Sequence, residues 1–227
     1  MRGTSKIEWE LALGERFSPM YQKITDDKLK VLQKAYLQMY KKFDAECRRH
    51  HIHSYMVAGT LIGSLRHGGY IPWDDDIDLV MFREDYNRLQ EIFADSEDFE
   101  LISPADATDS VFKVLKLQSK SLTYYDVLGE GFSKKKHLYL DMLPIDFVPE
   151  NNMLRKLKGL LFRALDLSHN SSRCYTKFTP HLTYMAKESK ELRQNLWIRR
   201  LIGFPSFIMG PANMYKLMEK LIQSNKK

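Results

Sequence analysis

Cysteine is scarce, with only Cys47 and Cys174 in a chain of 227 residues. Two thiols can build neither a disulfide framework nor a Cys-rich zinc site, and they favour a reducing compartment. No run of ~18 uncharged apolar residues occurs, so no membrane-spanning helix is expected. The opening stretch MRGTSKIEWELALGE mixes charge with apolar residues and lacks a continuous apolar core, so it does not read as a signal peptide. There is no internal repeat, and the 11 glycines and 8 prolines form no low-complexity tract. Acidic residues are what the last third lacks: residues 151–227 hold 4 of them against 15 basic ones, a net of +11.

The rest of the chain has the opposite balance. Residues 1–150 carry 20 basic and 25 acidic side chains, a net of −5, so the overall +6 averages an acidic body and a basic remainder. Basic segments seek phosphate, anionic headgroups or acidic polymers, which places the partner question mainly in the last third. Nucleic acid is disfavoured because no recognisable binding module is present. With 44% hydrophobic and 12% aromatic residues, the chain can bury a core. Its length suits one domain with additions, or one and a half domains.

Periodicity predicts a long amphipathic helix over 25–49, where Leu29, Leu32, Tyr36, Met39, Phe43 and Cys47 recur at three- and four-residue steps. Thr25 reads as its N-cap, Asp26 and Asp27 suit its positive end, and Arg48 and Arg49 suit the other. A short strand at 55–58 leads into a helical stretch that Gly59-Thr60 opens and Arg66 ends, followed by a Gly- and Pro-containing loop at 67–73. Residues 76–81 read as a strand and 83–94 as a helix with Tyr86, Leu89 and Phe93 on one side. Further strands are expected at 99–102, 111–118, 121–126 and 137–142. Beyond Asn151 the pattern turns helical and basic, with weaker helices around 183–192, 193–203 and 212–223. This order implies an α/β or α+β core with a helical appendage.

The densest acidic cluster is Trp73-Asp74-Asp75-Asp76-Ile77-Asp78. If a strand begins at Asp76, alternation puts Asp76 and Asp78 on one side and turns Asp75 away. Two carboxylates this close resist joint ionisation unless a cation lies between them, and hard oxygen ligands suit Mg²⁺ or Mn²⁺. The bland alternative is an Asp-rich turn capping a neighbouring element. Upstream, Ala58-Gly59-Thr60-Leu61-Ile62-Gly63-Ser64 puts a glycine and a hydroxyl where a strand gives way to a helix, and free N–H groups there can cradle phosphate. Downstream, Asp141 ends the alternating stretch Leu138-Tyr139-Leu140-Asp141 and is a candidate third carboxylate, with a capping role as its alternative.

Residues 58–86, AGTLIGSLRHGGYIPWDDDIDLVMFREDY, resemble the signature of the LicD/fukutin-type family of phosphotransferases, and VFKVLKLQSKSLTYYD and LYLDMLPIDF resemble its downstream motifs. The resemblance covers roughly residues 25–150. It implies an α+β fold with a nucleotidyltransferase-type mixed sheet, flanking helices and a helical C-terminal region. The domain reading that follows is an N-terminal extension at 1–24, a catalytic core at 25–150 and a basic helical region at 151–227. That last region reads as a shortened substrate subdomain, because the family's Tyr-Gly and Pro-Pro segment does not follow it.

The resemblance further implies a Mg²⁺-dependent (or Mn²⁺-dependent) transfer of a phospho-alcohol, phosphocholine foremost, from a CDP-activated donor such as CDP-choline to a cell-surface glycan hydroxyl, releasing CMP. Asp76 and Asp78 match the family's metal carboxylates and Asp141 its third acidic position. Gly59 and Thr60 match the phosphate-binding turn, and Arg66 and Lys116 match basic positions that meet donor phosphates. The alternatives are a true nucleotidyltransferase that releases pyrophosphate and a non-catalytic, membrane-associated binding protein.

Three further features carry two readings each. His50, His51 and His53 read as exposed helix-end residues rather than ligands. Trp73, Tyr124 and Tyr125 are candidates for a choline-binding aromatic cage, with core packing as the plainer alternative. The basic amphipathic stretch from Met153, with LWIRRLIGFPSFIMG (196–210), reads either as a solvated helical subdomain or as a surface for anionic lipid, on which a lipid-linked acceptor would be met. The expected location is cytoplasmic, with peripheral contact at the inner membrane face.

Overall fold

The computed structural model describes residues 26–106, 113–126, 134–175 and 190–223. Among them the elements run α1 (Asp26–Arg49), β1 (Tyr55–Met56), α2 (Ala58–His67), β2 (Asp78–Phe82), α3 (Arg83–Phe93), β3 (Phe99–Ile102), β4 (Leu115–Asp126), β5 (Lys134–Ile145), α4 (Asn152–Ser171), a 3₁₀ turn (Ser172–Tyr175), α5 (Lys190–Met209) and α6 (Pro211–Gln223). The strands form one mixed sheet in the order β1-β2-β5-β4-β3, and the fold is α+β.

The chain divides into two compact units: Met1–Leu79 with Ile92–Glu100 and Leu117–Leu140, and Val80–Glu91 with Leu101–Lys116 and Asp141–Lys227. In the first, α1 buries Leu29, Tyr36, Met39, Phe43 and Cys47, the face that its periodicity predicts, while Leu32 is only half-buried. Phe43 stacks on Phe93 with centroids 5.8 Å apart, and Phe93 meets Phe99 edge-on at 5.7 Å, so helix and strand ends share one aromatic core. Asp26 and Asp27 occupy the first turn of α1 and Arg48 and Arg49 the last, matching its dipole. Thr25 lies outside the described residues.

In the second unit the half-buried Arg83 is the organising cation. Its Nε is 2.7 Å from Asp146 Oδ1, and its Nη1 is 2.7 Å from Glu219 Oε2. Tyr215 and Gln223 also donate to Glu219, at 3.1 and 2.9 Å. Burial opposes charge on Arg83, but the hydrogen bonds and charges of Asp146 and Glu219 outweigh it and hold the guanidinium pKa above its ordinary value. The helix α4 starts where Asn151 accepts from the N–H groups of Met153 and Leu154 at 2.9 and 3.0 Å, as an N-cap does.

Four elements differ in extent from expectation. The expected strand at 76–81 begins at Asp78, because adjacent carboxylates at 74–76 keep the chain out of a regular ladder. The strands expected at 111–118 and 121–126 are one element, β4, within which Ser119 is buried and its hydroxyl accepts from the N–H groups of Ser121 and Leu122 at 3.3 and 3.1 Å. That local bonding lets a polar Ser-Lys-Ser stretch stay in the strand. The strand expected at 137–142 extends over Lys134–Ile145, and the helix expected at 193–203 over Lys190–Met209. Most of the helix expected at 183–192 lies outside the described residues.

Candidate active site

The helix α2 starts without a side-chain cap: Val57 at its N-terminus is extended (φ −138°), and Ala58 is left-handed at φ 50°. Gly59 follows, and a Cβ there would meet Asp74 Oδ2 at 2.5 Å. Only glycine lets this carboxylate approach the first turn, where the helix dipole favours negative charge. Thr60 is committed to a different task. Its Oγ1 accepts from the Asp78 N–H at 2.9 Å while the Val57 N–H donates to the Asp78 carbonyl at 3.2 Å, so the first residue of β2 is held from both sides. Thr60 still has its hydroxyl hydrogen to donate. Thr60→Val is expected to lower stability by about 1–2 kcal/mol, with Thr60→Ser losing less than half as much, as read from urea midpoints of the full chain.

The carboxylates that meet are Asp74, Asp75 and Asp76: one oxygen from each lies within 4.8 Å of the other two. Asp75 therefore does not turn away, as strand alternation had suggested, since residues 74–77 precede the strand. Asp78 and Asp141 are not members of this group. The loop leading into it is pinned from α1, where Gln33 Nε2 donates to the Asp74 carbonyl at 2.8 Å. Asp74 Oδ2 is buried without a hydrogen-bond partner. Burial first, and the neighbouring Asp75 second, hold the Asp74 carboxyl above its usual range. A buried carboxylate oxygen without a donor, beside two other carboxylates, suits a hard divalent cation such as Mg²⁺ or Mn²⁺, so these residues fit the metal.

Tyr70 completes this region. Its hydroxyl is also buried without a partner, and burial, then Asp74 and Asp76, push its pKa up. Tyr36, buried on α1, is shifted the same way by burial first, with Tyr124, Tyr139 and Asp76 adding to it. A cavity of about 150 Å³ opens alongside, lined by Leu37, Tyr40, Met56, Thr60, Tyr70 and Ile77 among others. Gln33, Tyr70 and Asp74 escaped sequence reasoning. For Asp74 the missed signal was its place two residues before the Asp-x-Asp pair, at the head of an unbroken Asp74-Asp75-Asp76 run.

The other expected site residues are placed as follows. Lys116 on β4 is ion-paired with Asp141 on β5, Nζ to Oδ1 2.9 Å, so two positions carried over separately form one contact. Arg66 is exposed in the last turn of α2, about 9 Å of helix rise from Thr60. His50, His51 and His53 are all exposed just past α1, in keeping with helix-end residues, and no histidine joins a candidate metal group among the described residues. Trp73 is exposed, Tyr124 is half-buried, and the side chain of Tyr125 lies outside the described residues.

Comparison with known proteins adds an independent line. A family model described as LicD/FKTN/FKRP, nucleotidyltransferase domain, matches residues 51–200. The chain is 33% identical over 107 residues to the lipopolysaccharide cholinephosphotransferase LicD of Haemophilus influenzae, covering 47% of this chain and 40% of the relative. It is 31% identical over 122 residues to an uncharacterised protein of Rickettsia typhi, covering 48% and 34%. It is 28% identical over 102 residues to the human ribitol 5-phosphate transferase FKRP, covering 45% and 18%. Each match spans less than half of the relative's own length.

Proposed function

The chain belongs to the LicD/FKTN/FKRP family, and from that premise we propose that it transfers a phospho-alcohol, phosphocholine foremost, from a CDP-activated donor to a glycan hydroxyl. The observation that carries this reading is the buried, unpartnered Asp74 Oδ2 packed on Gly59, with the Asp75 and Asp76 carboxylates beside it. A divalent cation there would be held by Asp74, Asp75 and Asp76, with Asp78 as the further carboxylate that the family resemblance assigns beside them. When bound, Mg²⁺ or Mn²⁺ supplies charge neutralisation for the donor pyrophosphate and the departing CMP.

The chain's own residues do the rest. The uncapped N–H groups at the start of α2 offer donors to phosphate oxygens. Gly59 keeps that end open, and Thr60 fixes Asp78 while its hydroxyl hydrogen is available to a phosphate. The acceptor oxygen forms a bond to the donor β-phosphorus as the bond to the CMP oxygen breaks, and the acceptor's proton passes to a carboxylate of the cluster. Arg66 is the cation assigned to the outer phosphates, whereas Lys116 is ion-paired with Asp141.

The 150 Å³ cavity supports choline over a polyol. A trimethylammonium group needs no hydrogen bonds and suits a cavity that two aromatic residues, Tyr40 and Tyr70, line. A ribitol chain there would find polar partners at Thr60 and Ser64 but would set its remaining hydroxyls against Leu37, Met56 and Ile77. Tyr40→Leu is therefore expected to raise KM for CDP-choline about tenfold and to leave CDP-glycerol turnover within about twofold, in a Mg²⁺-dependent CMP-release assay across CDP-choline, CDP-ribitol and CDP-glycerol. Equal use of all three donors by the unaltered chain removes the choline assignment, and release of pyrophosphate in place of CMP would reassign the reaction to attack at the α-phosphorus.

A further inference from the structure

Among the described residues, the second unit exposes a large apolar surface. On α4 the outward residues include Leu157 and Leu160, 63% and 68% exposed, and on α5 they include Trp197, Leu201 and Ile208, 68%, 64% and 69% exposed. Isolated exposed leucines are ordinary, but these recur at helical spacing. Leu157 shares a face with Leu160 and Ala164, and Trp197 shares one with Leu201, Phe204 and Ile208. Surfaces of this kind mark interaction sites.

The two stripes face the same way. Ser171 lies two heptads after Leu157, on the same face of α4, and is buried there because α5 crosses it. A Cβ at Gly203 would stand 2.5 Å from the Ser171 carbonyl carbon and 2.7 Å from the Ser172 nitrogen, so the backbones nearly touch. Gly203 and the buried Ser206 sit on the side of α5 opposite Leu201 and Ile208. The apolar stripe of α5 therefore points away from the crossing, in the outward direction of the α4 stripe. Tyr175 keeps α5 in place by stacking on Phe207 at 4.4 Å and donating to the Arg200 carbonyl at 2.7 Å.

Charge identifies what this face meets. The two helices carry eight basic residues and two acidic ones, and one of the acids, Asp166, is paired with Lys113 at 2.5 Å. Lys156 and Arg163 edge the α4 stripe, and Arg193 and Arg200, seven residues apart, edge that of α5. Long cations bordering leucine and tryptophan suit an interface where acyl chains lie below and anionic headgroups beside. A protein partner or a second copy would have to bring acidic side chains around an apolar centre, whereas an anionic bilayer presents phosphates and acyl chains together. No helix among the described residues is long and apolar enough to cross a membrane, so the contact lies in the plane of the surface.

We infer that α4 and α5 together dock the protein on an anionic lipid bilayer, with Leu157, Leu160, Trp197, Leu201 and Ile208 entering the headgroup–acyl boundary and Lys156, Arg163, Arg193 and Arg200 contacting lipid phosphates. This rests on the second unit alone and needs neither donor nor metal, so it stands or falls separately from the transfer reaction.

The test is co-sedimentation of the full chain with vesicles of phosphatidylcholine alone and of phosphatidylcholine with about a third phosphatidylglycerol, without nucleotide or divalent cation. Binding to the anionic vesicles is expected to be at least ~10-fold stronger and to weaken at high salt. The paired substitution Leu157→Asp with Leu201→Asp is expected to lower binding at least ~10-fold with an unchanged far-UV spectrum and Tm, because both sites are exposed. Arg193→Gln with Arg200→Gln is expected to reduce the anionic preference while keeping the fold. Equal binding to both vesicle types, or full binding by the leucine pair variant, overturns the proposal. So does absence of vesicle binding together with a self-association that the leucine substitutions abolish, which assigns the face to a second copy.

Discussion

Asp76→Asn is expected to lower Mg²⁺-dependent CMP release by roughly 10³-fold, equivalent to about 4 kcal/mol of transition-state stabilisation. The amide keeps the volume but offers one neutral oxygen to a cation in place of a carboxylate, inside a group whose oxygens already lie within 4.8 Å of one another. Asp74→Asn is expected to separate stability from activity. In the metal-free protein, burial and Asp75 hold the Asp74 proton more tightly than the unfolded chain does. Its contribution to stability is therefore fully present below the ordinary carboxylate range and declines as pH rises through its raised pKa. Asp74→Asn removes that decline and raises the metal-free Tm at neutral pH by about 1–3 °C, while the Tm gain on adding Mg²⁺ shrinks. Scanning calorimetry of both proteins against pH, with and without Mg²⁺, decides it: a lower metal-free Tm in Asp74→Asn contradicts a strained carboxylate cluster.

Arg83→Met is expected to destabilise the chain by about 3–5 kcal/mol in urea unfolding. The substitution leaves Asp146 and Glu219, 16% and 18% exposed, without the cation they share. Tyr215 and Gln223 still donate to Glu219, but neither brings charge. Arg83→Lys keeps the charge and gives up the fork that reaches both carboxylates at once, so its loss is smaller, about 1–2 kcal/mol. Adding Glu219→Gln to Arg83→Met is expected to recover part of the loss, since it removes one orphaned charge. A loss below about 1 kcal/mol for Arg83→Met would rank the pair with ordinary surface salt bridges.

Much of this architecture was legible in the sequence where a local period carried it. The α1 face at Tyr36, Met39, Phe43 and Cys47 is buried as its spacing predicts, because one stripe of a helix must meet the sheet. Tyr86, Leu89 and Phe93 of α3 are buried for the same reason. Periodicity failed at Asp76, where adjacent like charges delay the strand until Asp78, and at Ser119, whose hydroxyl satisfies local N–H groups within β4. The motif located the acidic loop, but Gln33, which holds it, lies 41 residues from Asp74. The Arg83 contacts with Asp146 and Glu219 bridge 63 and 136 residues. Contacts at such separations leave no periodic trace, and only the folded chain brings them together.

The apolar stripes of α4 and α5 illustrate the opposite case. Their basic amphipathic pattern was visible in the sequence, yet the pattern alone is equally that of a helix packed inward. Exposure of Leu157, Trp197 and Leu201, with Gly203 and Ser206 turned to the helix crossing, separates the two readings.

The measurement that bears most directly on the central claim is phosphorus NMR of the full chain with CDP-choline, Mg²⁺ and a glycan acceptor. The expected result is conversion of the two pyrophosphate resonances into one of CMP and one of a new phosphodiester, lost in Asp76→Asn. Release of inorganic pyrophosphate, or turnover retained in Asp76→Asn, would contradict it.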